Sequence, residues 1–386
     1  MNTELHRQLG REWRHLKKDP WLLSLVSWVP VILFILLWYI FSAGLPRDLS
    51  IAVVDLDHSQ MSRSVIRHYD ASPMLQVTQQ FSSIHSGQKA LRSADINALI
   101  VLPDNMESDT RLGRPPQITV FYNAQFLLIG KLIASAVLQS QSTFNAKLSV
   151  LQAFYQGDIG TQAVGAAVPV SSQITALFNI NNNYAQFLVS AIIPALWQIL
   201  IVVVSMLALS RELRLQGITA WLGHYPATAM FAKLLPYTFI FCLHGVLFLG
   251  GMYLVLGWQM NGSWGVLVLA QLFMVIASQA MALLLFMLTR ESARALSLAA
   301  AYTAPSFAFM GVTFPATDMT LPARIWRELI PVSHYMDVQI SQASHGASAF
   351  SVLPQFFSLL LFCMTFVLAL LLARRIIKTS SMTVQI

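Results

Sequence analysis

Carboxylate and imidazole side chains stand close together at two points of the sequence where metal binding or acid–base chemistry would need them. Asp55, Asp57 and His58 follow an apolar run, and His334 and Asp337 stand together farther along the chain. Aspartate also favours the turn that joins a strand to a helix. We interpret the first group as such a turn and the second as solvated side chains on an outer helix. The sequence therefore predicts no metal site and no catalytic residue.

Motifs of nucleotide hydrolysis and of common hydrolases are absent from the sequence. It contains no G-x-x-x-x-G-K-[ST] phosphate loop, no H-E-x-x-H helix and no G-x-S-x-G elbow. We therefore expect that the chain is not an enzyme by itself and binds no cofactor of its own.

The composition excludes an ordinary soluble protein. Of the 386 residues, 56% are hydrophobic and 11% are charged, whereas a soluble domain has about 25% charged residues. The mean hydropathy is +0.60. The net charge of +7 comes from basic residues near the ends of apolar runs, so nucleic acid is not a predicted partner. Cys242 and Cys363 lie inside apolar runs and predict neither a zinc site nor a disulfide.

Six apolar runs are long enough to cross a membrane as helices. The predicted fold is a polytopic α-helical membrane protein with six transmembrane helices, five of them within 183–386. A cleaved signal peptide is the alternative for the first run, but its apolar part exceeds the usual length of about 7–15 residues. The runs are 21–44, 184–209, 234–257, 265–289, 295–314 and 351–373.

Basic residues between the runs predict the orientation. Arg211 and Arg214 follow the second run, Arg290 follows the fourth, and Arg374 and Arg375 follow the last. Because short cytoplasmic loops are rich in Lys and Arg, we expect both termini in the cytoplasm and a multi-pass protein of the cell membrane.

Residues 1–20 are predicted to form a basic amphipathic helix on the inner membrane surface. Leu5, Leu9, Trp13 and Leu16 share one helical stripe, and basic residues surround it. Helices of this kind bind anionic membrane lipids. The alternative is a basic N-terminus that only fixes the topology.

Residues 45–182 differ from the rest, because charged residues return and short apolar runs alternate with polar helical stretches. This pattern predicts an extracytoplasmic α/β domain inserted between the first two spans. Its predicted elements are strands at 51–54, 98–102 and 118–122 and helices at 59–70 and 125–155. A Gly- and Ala-rich segment, 157–170, then returns toward the membrane, and a polar lip precedes the second span at Asn179, Asn181, Asn182 and Asn183.

The segment 210–233 is a short basic connection between the second and third runs. Leu213, Gly217 and Trp221 recur at helical spacing and predict a short amphipathic helix on the inner membrane face. Such a helix is suited to docking a cytoplasmic partner. The alternative is a solvated turn that only joins two spans.

The segment 312–350 is not a plain loop. Pro315, Pro322 and Pro331 interrupt alternating apolar residues. We predict short re-entrant helices in the outer leaflet, where the backbone must be covered by protein.

The six predicted spans contain no Asp, Glu, Lys or Arg. Ion-driven transporters place such charges inside the membrane. We interpret His244, in the third run, as a hydrogen-bonding group in helix packing, with a proton site as the alternative. Energy for any transport is therefore expected from outside the membrane.

Several motifs resemble those of permease subunits of bacterial type-2 ABC exporters, in the branch with a large periplasmic domain between the first two spans. The stretches 51–59 and 98–103 are similar to the inserted domain of that branch. The outer segment resembles the family's at Gly311, Pro315, Pro322 and Pro331.

The cytoplasmic segment also resembles that of the family. Arg211 and Glu212 are followed by Gly217, but Ile218 separates Gly217 from Thr219, where the family often has Gly-Thr and then an acidic residue. The resemblance assigns contact with an ATP-binding subunit to five residues: Arg211, Glu212, Arg214, Gly217 and Trp221.

The resemblance implies a division of labour. Two permease subunits, identical or different, would form the export pathway, and separate ATP-binding subunits would hold ATP and Mg²⁺. The substrate would be drug-like, lipid-like or otherwise amphipathic, and a periplasmic adaptor would be a further partner in the inner membrane of a bacterium. The alternative function is a membrane receptor or scaffold, whose outer domain binds a ligand or an envelope partner without transport.

Overall fold

The computed structural model describes residues 2–42, 44, 46–155, 177–179 and 183–383. The predicted return segment 157–170, and Asn181 and Asn182 of the predicted polar lip, lie outside these residues. The chain divides into two compact units. One comprises Met1–Gly44 and Ala176–Ile386, and the other comprises Leu45–Thr175.

The first unit is helical. Within the described residues, five helical stretches are long and apolar enough to cross a membrane: Pro20–Phe41, Tyr184–Gln216, Pro226–Val255, Trp264–Thr289 and Ala349–Thr379. Together with the apolar composition, they make the chain a multi-pass membrane protein.

The first unit begins with α1 (Asn2–Lys18), α2 (Pro20–Leu25) and α3 (Trp28–Phe41). Asp19 caps α2, because its Oδ1 accepts a hydrogen bond of 3.2 Å from the Leu22 amide and a proline follows at the first helical position. The first predicted span is thus interrupted between α2 and α3 rather than being one straight helix.

The second unit, Leu45–Thr175, contains a four-stranded sheet with helices on both faces. Its elements in chain order are β1 (Leu49–Asp55), α4 (Gln60–Asp70), β2 (Leu75–Phe81), α5 (Ile84–Arg92), β3 (Ala98–Leu102), α6 (Met106–Arg111), β4 (Thr119–Tyr122) and α7 (Leu127–Tyr155). The strand order is β2-β1-β3-β4. β1 is parallel to β2 and β3, and β4 is antiparallel to β3.

Alternation along the strands explains the two layers. Ile51 and Val53 of β1 pack with α4 and α7 on one face of the sheet. Ala52 and Val54 pack on the other face with Ala90 of α5. Buried parallel strands covered on both faces read as continuous apolar runs, as β1 and β3 do.

The Asp55 carboxylate organises the turn after β1. Its Oδ1 accepts hydrogen bonds from the backbone amides of Asp57 and His58 at 3.1 and 2.9 Å. Its Oδ2 accepts one of 2.7 Å from the Ser62 hydroxyl. Both oxygens therefore stabilise the strand-to-helix turn.

The remaining helices of the first unit follow one another closely. They are α8 (Tyr184–Gln216), α9 (Ile218–Leu222), α10 (Pro226–Leu249), α11 (Trp264–Thr289), α12 (Ser292–Thr303), α13 (Ser306–Phe309), α14 (Leu321–Glu328), α15 (Pro331–Gln339), α16 (Leu353–Leu361) and α17 (Cys363–Thr383). A π-helical stretch, Gly250–Val255, extends α10.

Two predicted spans have different bounds in the structure. α8 continues past position 209 to Gln216, so the predicted end is wrong by about two turns. The run 295–314 is divided between α12 and α13, neither of which alone has the length of about 20 residues that a span needs.

Buried amides connect the helices of the first unit. Gln198 of α8 donates to the Ser306 hydroxyl at 3.0 Å and accepts from the Val332 amide at 2.7 Å. Gln271 of α11 donates to the Tyr335 hydroxyl at 3.2 Å. Such side chains hold helices together where packing alone contributes little.

The segment 312–350 consists of short helices. Pro322 and Pro331 stand in the first turns of α14 and α15, where proline is well tolerated. Pro315 precedes a 3₁₀ turn, and Gly311 has a φ of +88°, which favours glycine.

The interpretation of His334 and Asp337 as solvated is wrong. His334 is buried, and its Nε2 lies 3.0 Å from the Glu328 carbonyl oxygen. Asp337 accepts two hydrogen bonds from Arg327 Nη2, at 2.6 and 2.7 Å. The fold of α14 against α15 creates these partners, which lie several residues away in the sequence.

Candidate functional site

The N-terminal helix α1 packs along α10. Leu16 of its predicted apolar stripe is buried, whereas Trp13 is exposed. The most buried polar residue of α1 is Glu12, which is 2% exposed. One face of α1 is therefore built around a carboxylate that points into the protein.

Three chain segments meet at this carboxylate. Lys233 Nζ of α10 lies 2.6 Å from Glu12 Oε2 and 2.9 Å from Glu212 Oε1 of α8. The Tyr237 hydroxyl donates to Glu12 Oε1 at 2.7 Å. Arg11 Nη2 donates to Glu212 Oε2 at 3.1 Å. We call these five residues, Glu12, Glu212, Lys233, Tyr237 and Arg11, the buried charge cluster.

The charges of the cluster balance. Two carboxylates face two cations, and Gln216 adds a hydrogen bond of 2.8 Å to Glu212 Oε2. Glu212 and Lys233 are 1% and 3% exposed. A buried ion pair adds little net stability over apolar packing, but removing one partner costs about 3–5 kcal/mol, because a charge is left without compensation. The cluster therefore fixes α1, α8 and α10 in one arrangement.

A second contact between α1 and α8 lies beside the cluster. Arg211 Nη1 donates to the His15 carbonyl oxygen at 2.8 Å and to Asp19 Oδ2 at 3.2 Å. Asp19 also caps α2, so the contact fixes the point where α1 ends and the first span begins.

The electrostatic surroundings act on His15 as well. Burial lowers the pKa of His15, and the neighbouring Arg211 guanidinium lowers it further. Glu12 and Glu212 act in the opposite sense, while Lys233 also lowers this pKa. The neutral imidazole is thus the form that suits the folded arrangement.

The predicted amphipathic helix of the 210–233 segment has different bounds. Arg211 and Glu212 belong to the last turns of α8, and both side chains are directed at α1. Gly217, with a φ of +77° and a ψ of 161°, ends α8. Only the five residues of α9 follow, so a helix continuing through Leu213 and Trp221 is wrong.

Trp221 and Leu222 of α9 are buried rather than presented to a partner. They belong to an apolar cluster that includes Phe286 and Met287 of α11 and Ala373 of α17. Their burial anchors the connection between α8 and α10 on the helix bundle. Arg214, by contrast, is exposed.

A cleft lies between α1 and the residues around α9. Its volume is about 280–330 Å³ in the range of a small site, with a value of ≈ 330 Å³. Arg7, Gln8 and Arg11 line one side. The other side is lined by Gln216, Ala220, Trp221, Leu222, Gly223, His224 and Tyr225. The cleft is basic on the α1 side and has aromatic side chains opposite, so it suits an acidic or polar segment of another protein.

The residues predicted in the outer segment are not part of this site. Gln339 Nε2 donates to the Ser190 carbonyl oxygen at 2.9 Å, near the start of α8. Arg211 lies 21 positions farther along the same helix, which corresponds to about 30 Å. Gly311, Pro315, Pro322 and Pro331 therefore belong to the region at the opposite end of α8.

His244 lies in α10, away from the cluster. Its ring stacks on Phe248, with centroids 6.1 Å apart, and meets Phe241 edge-on. Its Nδ1 has no hydrogen-bond partner among the described residues. The predicted role in helix packing is therefore carried by aromatic contacts, not by a hydrogen bond from Nδ1.

Three central residues of the cluster were missed in the sequence: Glu12, Lys233 and Tyr237. Lys233 signalled only orientation, because it stands at the edge of an apolar run. Glu12 is an acidic residue in a basic amphipathic helix. An acidic residue on the apolar side of such a helix is the one local signal that could have indicated a buried partner.

Comparison with protein families gives one match. The sequence model of the family described as "ABC-2 family transporter protein" matches residues 20–372, which is most of the chain. A search of curated proteins found no similar sequence.

Proposed function

Because this chain belongs to the ABC-2 transporter family, we propose that it is the permease subunit of a type-2 ABC exporter in which α1 and the connection after α8 together receive the ATP-binding subunit. Family membership makes the chain a membrane permease subunit that works with an ATP-binding subunit. ATP and Mg²⁺ belong to that partner.

The observation that carries the proposal is the buried charge cluster. Lys233 of α10 binds carboxylates of both α1 and α8 within 2.9 Å. The cleft adjoins the cluster, since Arg11 lines the cleft and also binds Glu212. A partner that displaces the cleft would therefore move α8 and α10, two of the helices long enough to span the membrane.

The cleft also explains how exposed residues take part. Ala220, Gly223 and His224 are exposed at its rim, whereas Glu212 and Trp221 are buried. We propose that the rim contacts the ATP-binding subunit, while the buried residues transmit its movement. Arg211 and Glu212 act within the permease, and Arg214 is the exposed residue of the predicted set.

The membrane arrangement follows from the same proposal. The end of α8 that carries the cleft would face the cytoplasm, together with both termini, because the basic residues gather there. This arrangement has six spans if α12 and α13 jointly provide the fifth. The segment 312–350 would then lie in the outer leaflet.

The unit Leu45–Thr175 would lie outside the membrane, between the first two spans, as in the branch that the sequence resembles. Two copies of the permease, or a copy with a related subunit, would enclose an export pathway for an amphipathic substrate. In a bacterium with two membranes, this unit would be the surface available to a periplasmic adaptor.

Purification from native membranes in a gentle detergent tests the proposal. We expect an ATP-binding subunit to copurify with the wild-type chain and to hydrolyse ATP. Ala220→Trp should abolish this association, because the indole would fill the cleft at an exposed position. Ala227→Trp is the matched control, since Ala227 is exposed on the first turn of α10 but does not line the cleft.

Retention of the ATP-binding subunit by Ala220→Trp would place the contact elsewhere. Absence of any ATP-binding subunit from the wild-type preparation, in several detergents and in lipid nanodiscs, would contradict the exporter. It would favour the alternative function, a receptor or scaffold whose outer unit binds a ligand.

A further inference from the structure

An apolar groove with a basic end lies between α11 and α17. Its volume is ≈ 620 Å³, within the range of about 300–1,000 Å³ typical of small-molecule sites. Five leucines form its walls, Leu284 and Leu288 on α11 and Leu368, Leu371 and Leu372 on α17. Its end is lined by Arg374, Arg375 and Lys378.

Small residues create the groove. Ala369 and Ala373 of α17 are fully buried, together with Ala282 and Leu283 of α11. Small side chains at the seam let the two helices approach closely. The leucines on either side of the seam then stand out as ridges, and Leu288, Leu368 and Leu371 are exposed.

The basic end of the groove lies at the membrane surface. Ala373, which directly precedes the two arginines, packs in the same apolar cluster as Trp221 and Leu222 of α9. Since α9 connects two spanning helices, this level of α17 is where the apolar interior of the membrane ends. Arg374, Arg375 and Lys378 are all exposed, so their charges reach the headgroup region.

We propose that this groove is a binding site for one anionic phospholipid. An acyl chain would lie along the leucines, and the phosphate would bind the guanidinium groups of Arg374 and Arg375. Basic pockets between transmembrane helices recognise anionic headgroups in this way, and arginine suits phosphate because its planar donors match the phosphate oxygens.

A second copy of this chain is a poorer occupant. In a symmetric dimer across this face, the same patch of both copies would meet. Arg374, Arg375 and Lys378 would then oppose one another, and like charges at an interface are unfavourable. No acidic residue is among the side chains that line the described groove, so nothing in it would compensate them.

Native mass spectrometry of the full-length protein complex in detergent tests this site. Phosphatidylglycerol and phosphatidylcholine with identical acyl chains would be titrated separately. We expect preferential binding of phosphatidylglycerol. Arg374→Gln with Arg375→Gln should weaken that binding about twenty-five-fold, from about fivefold for each charge, without lowering the melting temperature, because both side chains are exposed.

Two further variants separate the possible causes. Lys17→Gln with Lys18→Gln removes the same number of exposed charges from the end of α1 and should leave the bound lipid unchanged. Leu368→Trp keeps the charges but fills the groove, and it should reduce lipid binding too.

Equal binding of both lipids, or equal loss in the Lys17/Lys18 control, would overturn the proposal. So would a change of Leu368→Trp from dimer to monomer with the bound lipid unchanged, because the groove would then be an interface between two copies. Copurification of the ATP-binding subunit is independent of these outcomes, so failure here leaves the proposed function standing.

Discussion

The two ends of the helical unit hold their charges in different ways. In the buried charge cluster, Lys233 joins Glu12 and Glu212, which are 221 and 21 positions away in the chain. In the segment 312–350, Arg327 binds Asp337, only 10 positions away. The side chains of that second pair are 10% and 32% exposed, whereas Lys233 and its partners are almost completely buried.

This difference separates a connection between helices from a local clamp. The Arg327–Asp337 pair holds α14 against α15 and can do no more than shape one segment. The buried charge cluster holds an N-terminal helix to two membrane-spanning helices, so a force on α1 is passed to α8 and α10. The first arrangement is suited to forming a fixed outer structure, and the second to transmitting movement.

Lys233→Met should have the largest effect, because it leaves two buried carboxylates without a cation. We expect a loss of about 3–5 kcal/mol in the free energy of unfolding, measured by chemical or thermal denaturation in detergent. Lys18→Met, at an exposed position of α1, is the matched control and should be neutral. Equal stability of the two variants would remove the distinction between the cluster and the outer pair.

Gly217→Ala changes the backbone beside the cluster without altering a charge. No heavy atom outside the local backbone lies within 4 Å of the added Cβ, and the φ is +77°, so the cost is backbone strain of about 1–3 kcal/mol. Gly10→Ala is the control, since Gly10 lies in α1 with equally open space. That change should stabilise by about 0.5–1 kcal/mol. Destabilisation by both variants would show that crowding, not conformation, is responsible.

Asp337→Asn should cost about 1 kcal/mol or less, because the Arg327 pair is partly exposed and local. Combined with Lys233→Met, its effect on the free energy of unfolding should add within about 0.5 kcal/mol, as expected for distant sites. A double-mutant cycle measures this directly. A larger interaction energy would mean that the two ends are energetically connected.

His15→Gln should have the smallest effect, visible only in acid. Because the folded pKa of His15 lies below its ordinary value of 6.5, the unfolded chain binds more protons as the pH falls through that value. The wild type therefore loses stability below about pH 6.5 relative to His15→Gln. Melting temperatures at about pH 7.5 and about pH 5.5 test this, and a difference that does not depend on pH would contradict it.

The apolar runs of the sequence indicated the membrane helices because a bilayer demands long apolar segments. They gave the wrong end for α8, since Arg211 and Glu212 continue the helix only by pairing with α1. The strand β2 was missed for a related reason. It lies at the edge of the sheet and buries little beyond Leu75, so its polar sequence carries no apolar pattern.

The candidate site was predictable in location but not in composition. Basic residues and helical spacing pointed to the 210–233 segment. The partners Glu12 and Lys233 come from distant parts of the chain, and no local pattern pairs them. Trp221 was expected at the partner surface because it recurs with Leu213, yet Gly217 interrupts the helix and turns Trp221 into the bundle.

Site-specific photo-crosslinking tests the central claim most directly. A photoreactive residue would replace Ala220 at the rim of the cleft, or Phe350 as the control, since Phe350 is exposed in the 312–350 segment. In native membranes, we predict a crosslink to the ATP-binding subunit from position 220 and none from position 350. An ATP-binding subunit captured from position 350, or captured from neither position while it still copurifies, would contradict the proposal that α1 and α9 form its docking site.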